Sequence, residues 1–461
     1  MYQCPNCGGG LRFDIASQKL VCDHCQTQMA PYDFKESGGA EEETEFEVTK
    51  FICPQCGAEI VSSDNTAAAF CSFCGASTIL DSRISQEKRP DGIIPFQLTK
   101  DDCVKAYTKL MKHSIFAPKE LKDEKCIDGF RGIYMPYWVY HVVQQGPLKL
   151  KGSKSHREGD YDITRYFSLT GELDASYDGI THDASTEFAD DISESAAPYD
   201  VKKMQPFHPS YLSGFYADTE DVNPALYQRE AVELATDLST STIEKCPEYR
   251  SYNPTIPPRN GVNALPTRLE PTQYAMFPVW FMSYRKKDRV SYVTINGQTG
   301  KIAADIPIDE KRYGIGSLLL AIPIFLLLNI LFTMTASKAL FMTSILTIIT
   351  AIMAMVESHT MKKKEQGAYD KGKKGYRKRK KTEKAASSSL DTLSPTACII
   401  CFVVSILMWI MAPVSDYWYY GCILVCIAVV FLTFVRIIRN YNILASRKLP
   451  QFDRTGGDDR A

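Results

Sequence analysis

Four CxxC pairs crowd the first 74 residues: Cys4/Cys7, Cys22/Cys25, Cys53/Cys56 and Cys71/Cys74. They form an internal repeat. Fourteen residues separate Cys7 from Cys22, fourteen separate Cys56 from Cys71, and the second unit is the first displaced by 49 positions. Each unit is two knuckles joined by a segment long enough for one β-hairpin. A unit of ~30 residues buries too little apolar surface to fold alone, so bound metal must supply the folding free energy. Four thiolates in tetrahedral array suit Zn2+ in a closed structural site with no open position for water. The spacing predicts two Cys4 zinc ribbons, over 1–35 and 51–82, each with one Zn2+. Rubredoxin-like iron and redox dithiols are the competing chemistries, although a redox CxxC needs only one pair. Gly8, Gly57 and Gly75 each follow a second cysteine and supply the positive φ of a tight knuckle. Gln26 breaks that pattern after Cys25. His24 reads as a solvent-facing knuckle residue, not a ligand.

The remaining seven of the 15 cysteines are scattered. An odd total with tight pairs argues against a secreted disulfide framework and for metal sites in a reducing compartment. The opening MYQCPNCGGG has neither a basic nor an apolar leader, so no signal peptide is expected. Charge then excludes the usual nucleic-acid reading of such ribbons. Residues 1–82 hold four basic and twelve acidic side chains, a net of −8, which would repel a phosphate backbone. A protein-contacting or structural module fits better. Residues 36–50, ESGGAEEETEFEVTK, read as an acidic linker that lets the ribbons move separately.

Residues 90–313 read as a soluble α+β domain, mainly antiparallel β. IIPFQLT gives a strand at 93–99, and Thr99 with Asp102 caps a helix over 100–113. IYMPYWVYHVV (133–143) opens a run of strands through GPLKLKG, YDITRYFSLTG and GELDASYDGI, and a helix is expected over 224–245. YAMFPVWFMSY (274–284) repeats the Pro-x-Trp pattern of the first strand: Pro136/Trp138, then Pro278/Trp280. Such aromatic strands make either a large core or a lined cleft, and the core is the simpler reading. No Walker loop, GxSxG, HExxH or kinase set occurs, and the histidines share no ligand spacing. The chain is therefore expected not to be an enzyme.

Four apolar runs follow, at 315–334, 339–356, 397–412 and 417–435. About 20 residues cross the hydrocarbon core as a helix. The expectation is four transmembrane helices in two hairpins (314–356 and 396–436), with a basic loop at 357–395 and a tail at 437–461. Over 357–390 there are twelve basic and four acidic residues, a net of +8. By the positive-inside rule the ribbons, the loop and the tail all face the cytoplasm. Lys362, Lys363, Lys364, Lys373, Lys374, Arg377, Lys378, Arg379, Lys380 and Lys381 are the expected contacts to anionic lipid, the alternative being that they only fix topology. The spans hold too few polar groups for a permeation path.

With MYQCPNCGG, CDHC, FICPQCGAEI and CSFCG, then GIYMPYWVYH, FPVWFMSY and VTINGQTGKIAADIP, the chain resembles bacterial membrane proteins with a TFIIB-type zinc ribbon. It is similar to the YdjG-type proteins of Gram-positive bacteria. The resemblance implies eight metal positions, which are the eight cysteines above. It also implies association with an SPFH-domain (flotillin-like) protein and a phage-shock-type peripheral membrane protein in envelope-stress protection. The expectation is a membrane-anchored scaffold of the cytoplasmic membrane. The alternatives are a membrane-tethered nucleic-acid or transcription factor and a transporter component.

Overall fold

The computed structural model describes residues 3–33, 45–62, 71–76, 81–187, 190–255, 258–259, 262–263, 265–331, 335–367 and 389–449. The chain begins with a small antiparallel sheet of β1 (Leu11–Asp14), β2 (Lys19–Cys22) and β3 (Gln28–Met29). The next strands, β4 (Glu45–Ile52), β5 (Glu59–Ser62), β6 (Asp81–Lys88) and β7 (Gly92–Ile93), belong to a second, 13-stranded sheet. The expected linker is therefore partly strand. Glu45–Lys50 lies in β4 and pairs with β6 from Glu45↔Lys88 to Lys50↔Arg83. Acidic composition concealed a period of two, in which Val48 and Lys50 turn inward. Residues 36–44 lie outside the described residues.

Helix α1 (Lys100–His113) has the expected bounds. Thr99 and Asp102 form a capping box, and Cys103, Tyr107 and Met111 are buried. The short α2 (Glu124–Ile127) leads into β8 (Arg131–Glu158) and β9 (Tyr161–Asp183). These merge the expected meander into one long hairpin, registered from Tyr137↔Asp183 to Glu158↔Tyr161 with a shift at Tyr140/His141. After α3 (Asp190–Ala196), β10 (Gln205–Pro206) and β11 (Tyr216–Ala217), helix α4 (Gln228–Lys245) follows a 3-10 turn that Asn223 caps. It packs on the hairpin, where Gln144 meets Thr236 and Ser239. The run α5 (Pro247–Arg250), β12 (Pro258–Arg259), β13 (Val262–Asn263) and β14 (Thr267–Leu269) ends at β15 (Gln273–Lys286), β16 (Arg289–Asn296) and β17 (Ile302–Ala304).

The two Pro-x-Trp strands are neighbours. β8 and β15 pair antiparallel, with Pro136 opposite Met276 and Pro278 opposite Tyr134. Proline is normally excluded from central strands because it cannot donate to the ladder. Here both prolines fall where the outer neighbour changes. Beside β8, β11 ends at Tyr134 and β9 begins at Tyr137; beside β15, β7 ends at Met276 and β16 begins at Val279. In those gaps each proline carbonyl accepts from a loop amide, Ala184 for Pro136 and Gly297 for Pro278. Trp138 and Trp280 are 3% and 6% exposed, and their indoles donate to the Val222 and Leu98 carbonyls. The aromatic strands form core.

The described part of each apolar run is held in a helix: α6 (Glu310–Leu331), α7 (Ala336–Gly367), α8 (Ser389–Met411) and α9 (Asp416–Leu444). Among the described residues, however, two helices and not four are long and apolar enough to cross a membrane. They are Ala336–Thr360 and Asp416–Leu444, of 25 and 29 residues. The apolar part of α8 runs only from Pro395 to Met411. α6 opens on Glu310, Lys311 and Arg312, and residues 332–334 after it are outside the described set. On α7 the buried face holds Leu340 with Ser344, Thr347, Thr350, Ala351 and Ala354, the last five small side chains that admit close packing. Its hydroxyls bond back to their own helix, Ser344 to the Phe341 carbonyl and Thr347 to that of Ser344. Residues 368–388, with most of the expected lipid-contacting bases, and 450–461 lie outside the described residues.

Candidate metal centres

The four knuckles share one backbone pattern. The amide of the first cysteine donates to the carbonyl five residues on: Cys4 to Gly9, Cys22 to Thr27, Cys53 to Ala58 and Cys71 to Ala76, at 2.7–3.0 Å. The residue after the second cysteine closes the turn by donating back to the first cysteine's carbonyl. That residue needs positive φ, and Gly8, Gly57 and Gly75 adopt 69°, 80° and 69°. Gln26, the exception in the sequence, takes the same conformation at 59°. The knuckle geometry thus outweighs the steric penalty of a Cβ there.

These turns bring all eight cysteines into two groups, Cys4/Cys7/Cys22/Cys25 and Cys53/Cys56/Cys71/Cys74. Within each, all sulfurs lie within 4.8 Å of one another. Two separations in the first group are 3.5 and 3.6 Å (Cys7–Cys22, Cys4–Cys25), and two in the second are 3.7 Å (Cys56–Cys71, Cys53–Cys74). A tetrahedron with metal–sulfur bonds of ~2.3 Å has edges of ~3.8 Å, whereas a disulfide is ~2.05 Å. All eight cysteines are free thiols. The donor set and spacing fit one tetrahedrally held metal per group. His24 is exposed and belongs to neither group.

The two centres sit in different surroundings. In the first, Cys4 and Cys22 are buried while Cys7 and Cys25 are exposed. Asn6 donates to the Thr27 hydroxyl at 3.0 Å, and that hydroxyl lies 3.1 Å from Cys25 Sγ. With the Thr27 amide it brings the Cys25 thiol down to about 6, toward the thiolate that a metal requires. This small ribbon docks on the large domain. The Phe13 amide donates to the Ser213 carbonyl at 3.0 Å, the Ser213 hydroxyl donates to the Leu11 carbonyl, and the Phe13 ring lies 5.0 Å from that of Tyr211.

The second centre is inside the 13-stranded sheet. Its four cysteines are at most 2% exposed and share a core with Phe51, Phe73, Tyr137, Phe277, Phe281 and Tyr292. The Tyr292 hydroxyl donates to the Phe73 carbonyl at 2.8 Å, in the loop between Cys71 and Cys74. The strands that flank this centre also carry a buried ion network that no sequence motif announced. Lys50 Nζ meets Glu87 at 2.8 Å, Glu59 at 3.2 Å and the Thr219 hydroxyl at 3.1 Å. Burial opposes the Lys50 charge, but Glu87 and Glu59 outweigh it and hold the ammonium above its usual range.

The strand that carries Tyr292 also carries the last helix. On β16, Arg289 bonds the Ser446 hydroxyl at 2.7 Å and the Ile443 carbonyl at 2.8 Å, and Ser291 donates to the Ala445 carbonyl at 2.7 Å. The chain after α9 adds β18 (Arg447–Lys448) to the edge of β16.

No family model matches the chain, and no solved structure does. Among curated proteins the chain is similar to the uncharacterized protein YdjG of Bacillus subtilis (strain 168), 26% identical over 316 residues. The aligned part covers 68% of this chain and 91% of the relative.

Proposed function

We propose that the chain is a membrane-anchored scaffold whose two cysteine cages each hold one structural Zn2+. Zinc is favoured over iron because a closed four-thiolate site needs neither redox chemistry nor an open ligand position. The observation that carries the scaffold reading is the sharing of β16. One residue of that strand, Tyr292, braces the second cage, while its neighbours Arg289 and Ser291 bind the end of α9. Metal centre, sheet and candidate span therefore form one mechanically continuous body.

In this reading the helices cross the bilayer four times as two hairpins, and both ends and the basic loop face the cytoplasm by the positive-inside rule. The basic residues contact anionic lipid. The exposed face of the first ribbon is a docking surface for membrane-associated proteins, of the SPFH and phage-shock type by the resemblance of the chain. The test is photo-crosslinking in intact membranes from a probe at His24, followed by identification of the captured species. Membrane-associated proteins are the expected catch. Capture of nucleic acid, or substrate flux in vesicles containing the pure protein, would overturn the scaffold reading.

A further inference from the structure

We propose that the first metal centre is an oxidation site: a hydroperoxide enters through the exposed Cys7 and Cys25, closes a disulfide within the cage and releases one metal ion, while the second centre stays loaded. The proposal rests on both cages holding Zn2+. The two centres have the same ligands, the same spacing and the same knuckle hydrogen bonds. Their donor sets and turn geometry are therefore alike, and access separates them most clearly. Cys7 and Cys25 face solvent, whereas Cys53, Cys56, Cys71 and Cys74 are all buried beneath an aromatic core. Oxidation of a thiolate follows its exposure, because the oxidant's oxygen must reach the sulfur.

The neighbours needed for the second half of the reaction are in contact. Cys4 Sγ lies 3.6 Å from Cys25, and Cys22 Sγ lies 3.5 Å from Cys7. An exposed thiolate attacks one peroxide oxygen, the O–O bond breaks, and a sulfenic acid forms with loss of hydroxide. The neighbouring thiolate then attacks the sulfenic sulfur, forming the S–S bond and expelling a second hydroxide. Two electrons pass from sulfur to peroxide, and two protons from solvent convert both hydroxides to water. Zn2+ is left with two thiolates and passes to water. The core of the first ribbon loses its staple, and with it the hold of Leu11 and Phe13 on Ser213 and Tyr211. The large sheet keeps its own.

The experiment is zinc release from the purified full chain in detergent, treated with hydrogen peroxide in the presence of a chromogenic chelator. Alkylated peptides are then mapped by mass spectrometry. One of two zinc ions should leave, with the second slower by about tenfold or more. The new disulfide should contain Cys7 or Cys25, and Cys53, Cys56, Cys71 and Cys74 should remain reduced. Thiol reductant plus zinc should restore the first site. Release of both ions together, release of none, or a disulfide confined to the second cage would overturn the proposal. Fewer than two zinc ions before oxidant would instead refute the zinc reading itself.

Discussion

Replacing Lys50 by methionine keeps most of the side-chain stem and removes one charge from a site with three. Lys50 and Glu59 are each 6% exposed, and Lys50 Nζ lies 3.2 Å from Glu59 and 2.8 Å from Glu87. At an effective dielectric constant of ~20, each contact at ~3 Å represents roughly 5 kcal/mol of Coulomb attraction, most of it offset by desolvation. Lys50→Met leaves two carboxylates facing each other without the cation, a change that typically costs about 3–5 kcal/mol. Adding Glu59→Gln and Glu87→Gln to it removes the stranded charges, so most of that loss should be recovered, leaving about 1 kcal/mol. The assay is denaturant unfolding of the full chain in detergent, followed through Trp138 and Trp280 in the core. A loss under about 1 kcal/mol for Lys50→Met, or an equal loss for single and triple variants, would refute the reasoning.

Tyr292→Phe removes the hydrogen bond to the Phe73 carbonyl. It should cost about 0.5–1.5 kcal/mol and weaken zinc retention at the second centre only, read by chelator competition. Gln26→Gly relieves the positive φ of 59°. It should slow zinc loss from the first centre through a gain of roughly 0.5–1 kcal/mol, and faster loss would contradict the strain argument. Burial pushes Asp218 up to about 7, against the Ser185 hydroxyl and Thr219 amide that pull it down. Its folded-state pKa is thus above its unfolded value. Stability should fall as pH rises from about 4 to about 7 and level off above. Asp218→Asn should flatten that slope in thermal scans across the same window, and an unchanged slope would exonerate Asp218.

The two four-cysteine groups were legible because the chemistry such groups can serve requires a fixed spacing, and the spacing occurs twice. Helix α1 was legible because Thr99 and Asp102 announce its start locally. The status of the second ribbon was hidden. Glu45 to Lys50 looks like a charged linker, and only pairing with a strand some 40 positions further on turns its inner residues into core. The brace from Tyr292 to Phe73 spans 219 positions, and the Lys50–Thr219 contact spans 169. No window on the sequence can show either. Pro136 and Pro278 are tolerated in paired strands because a change of neighbour, a property of topology, leaves no ladder partner to lose. In the apolar runs, composition alone suggested four crossings. Among the described residues two helices qualify by length and composition, Ala336–Thr360 and Asp416–Leu444.

The most direct test is the metal content of the full chain extracted from membranes without added metal, combined with X-ray absorption at the metal edge. Two zinc ions per chain, each with four sulfur ligands at ~2.3 Å, are expected. Iron in their place, a single ion, or cage sulfurs joined as disulfides in freshly extracted protein would contradict the account.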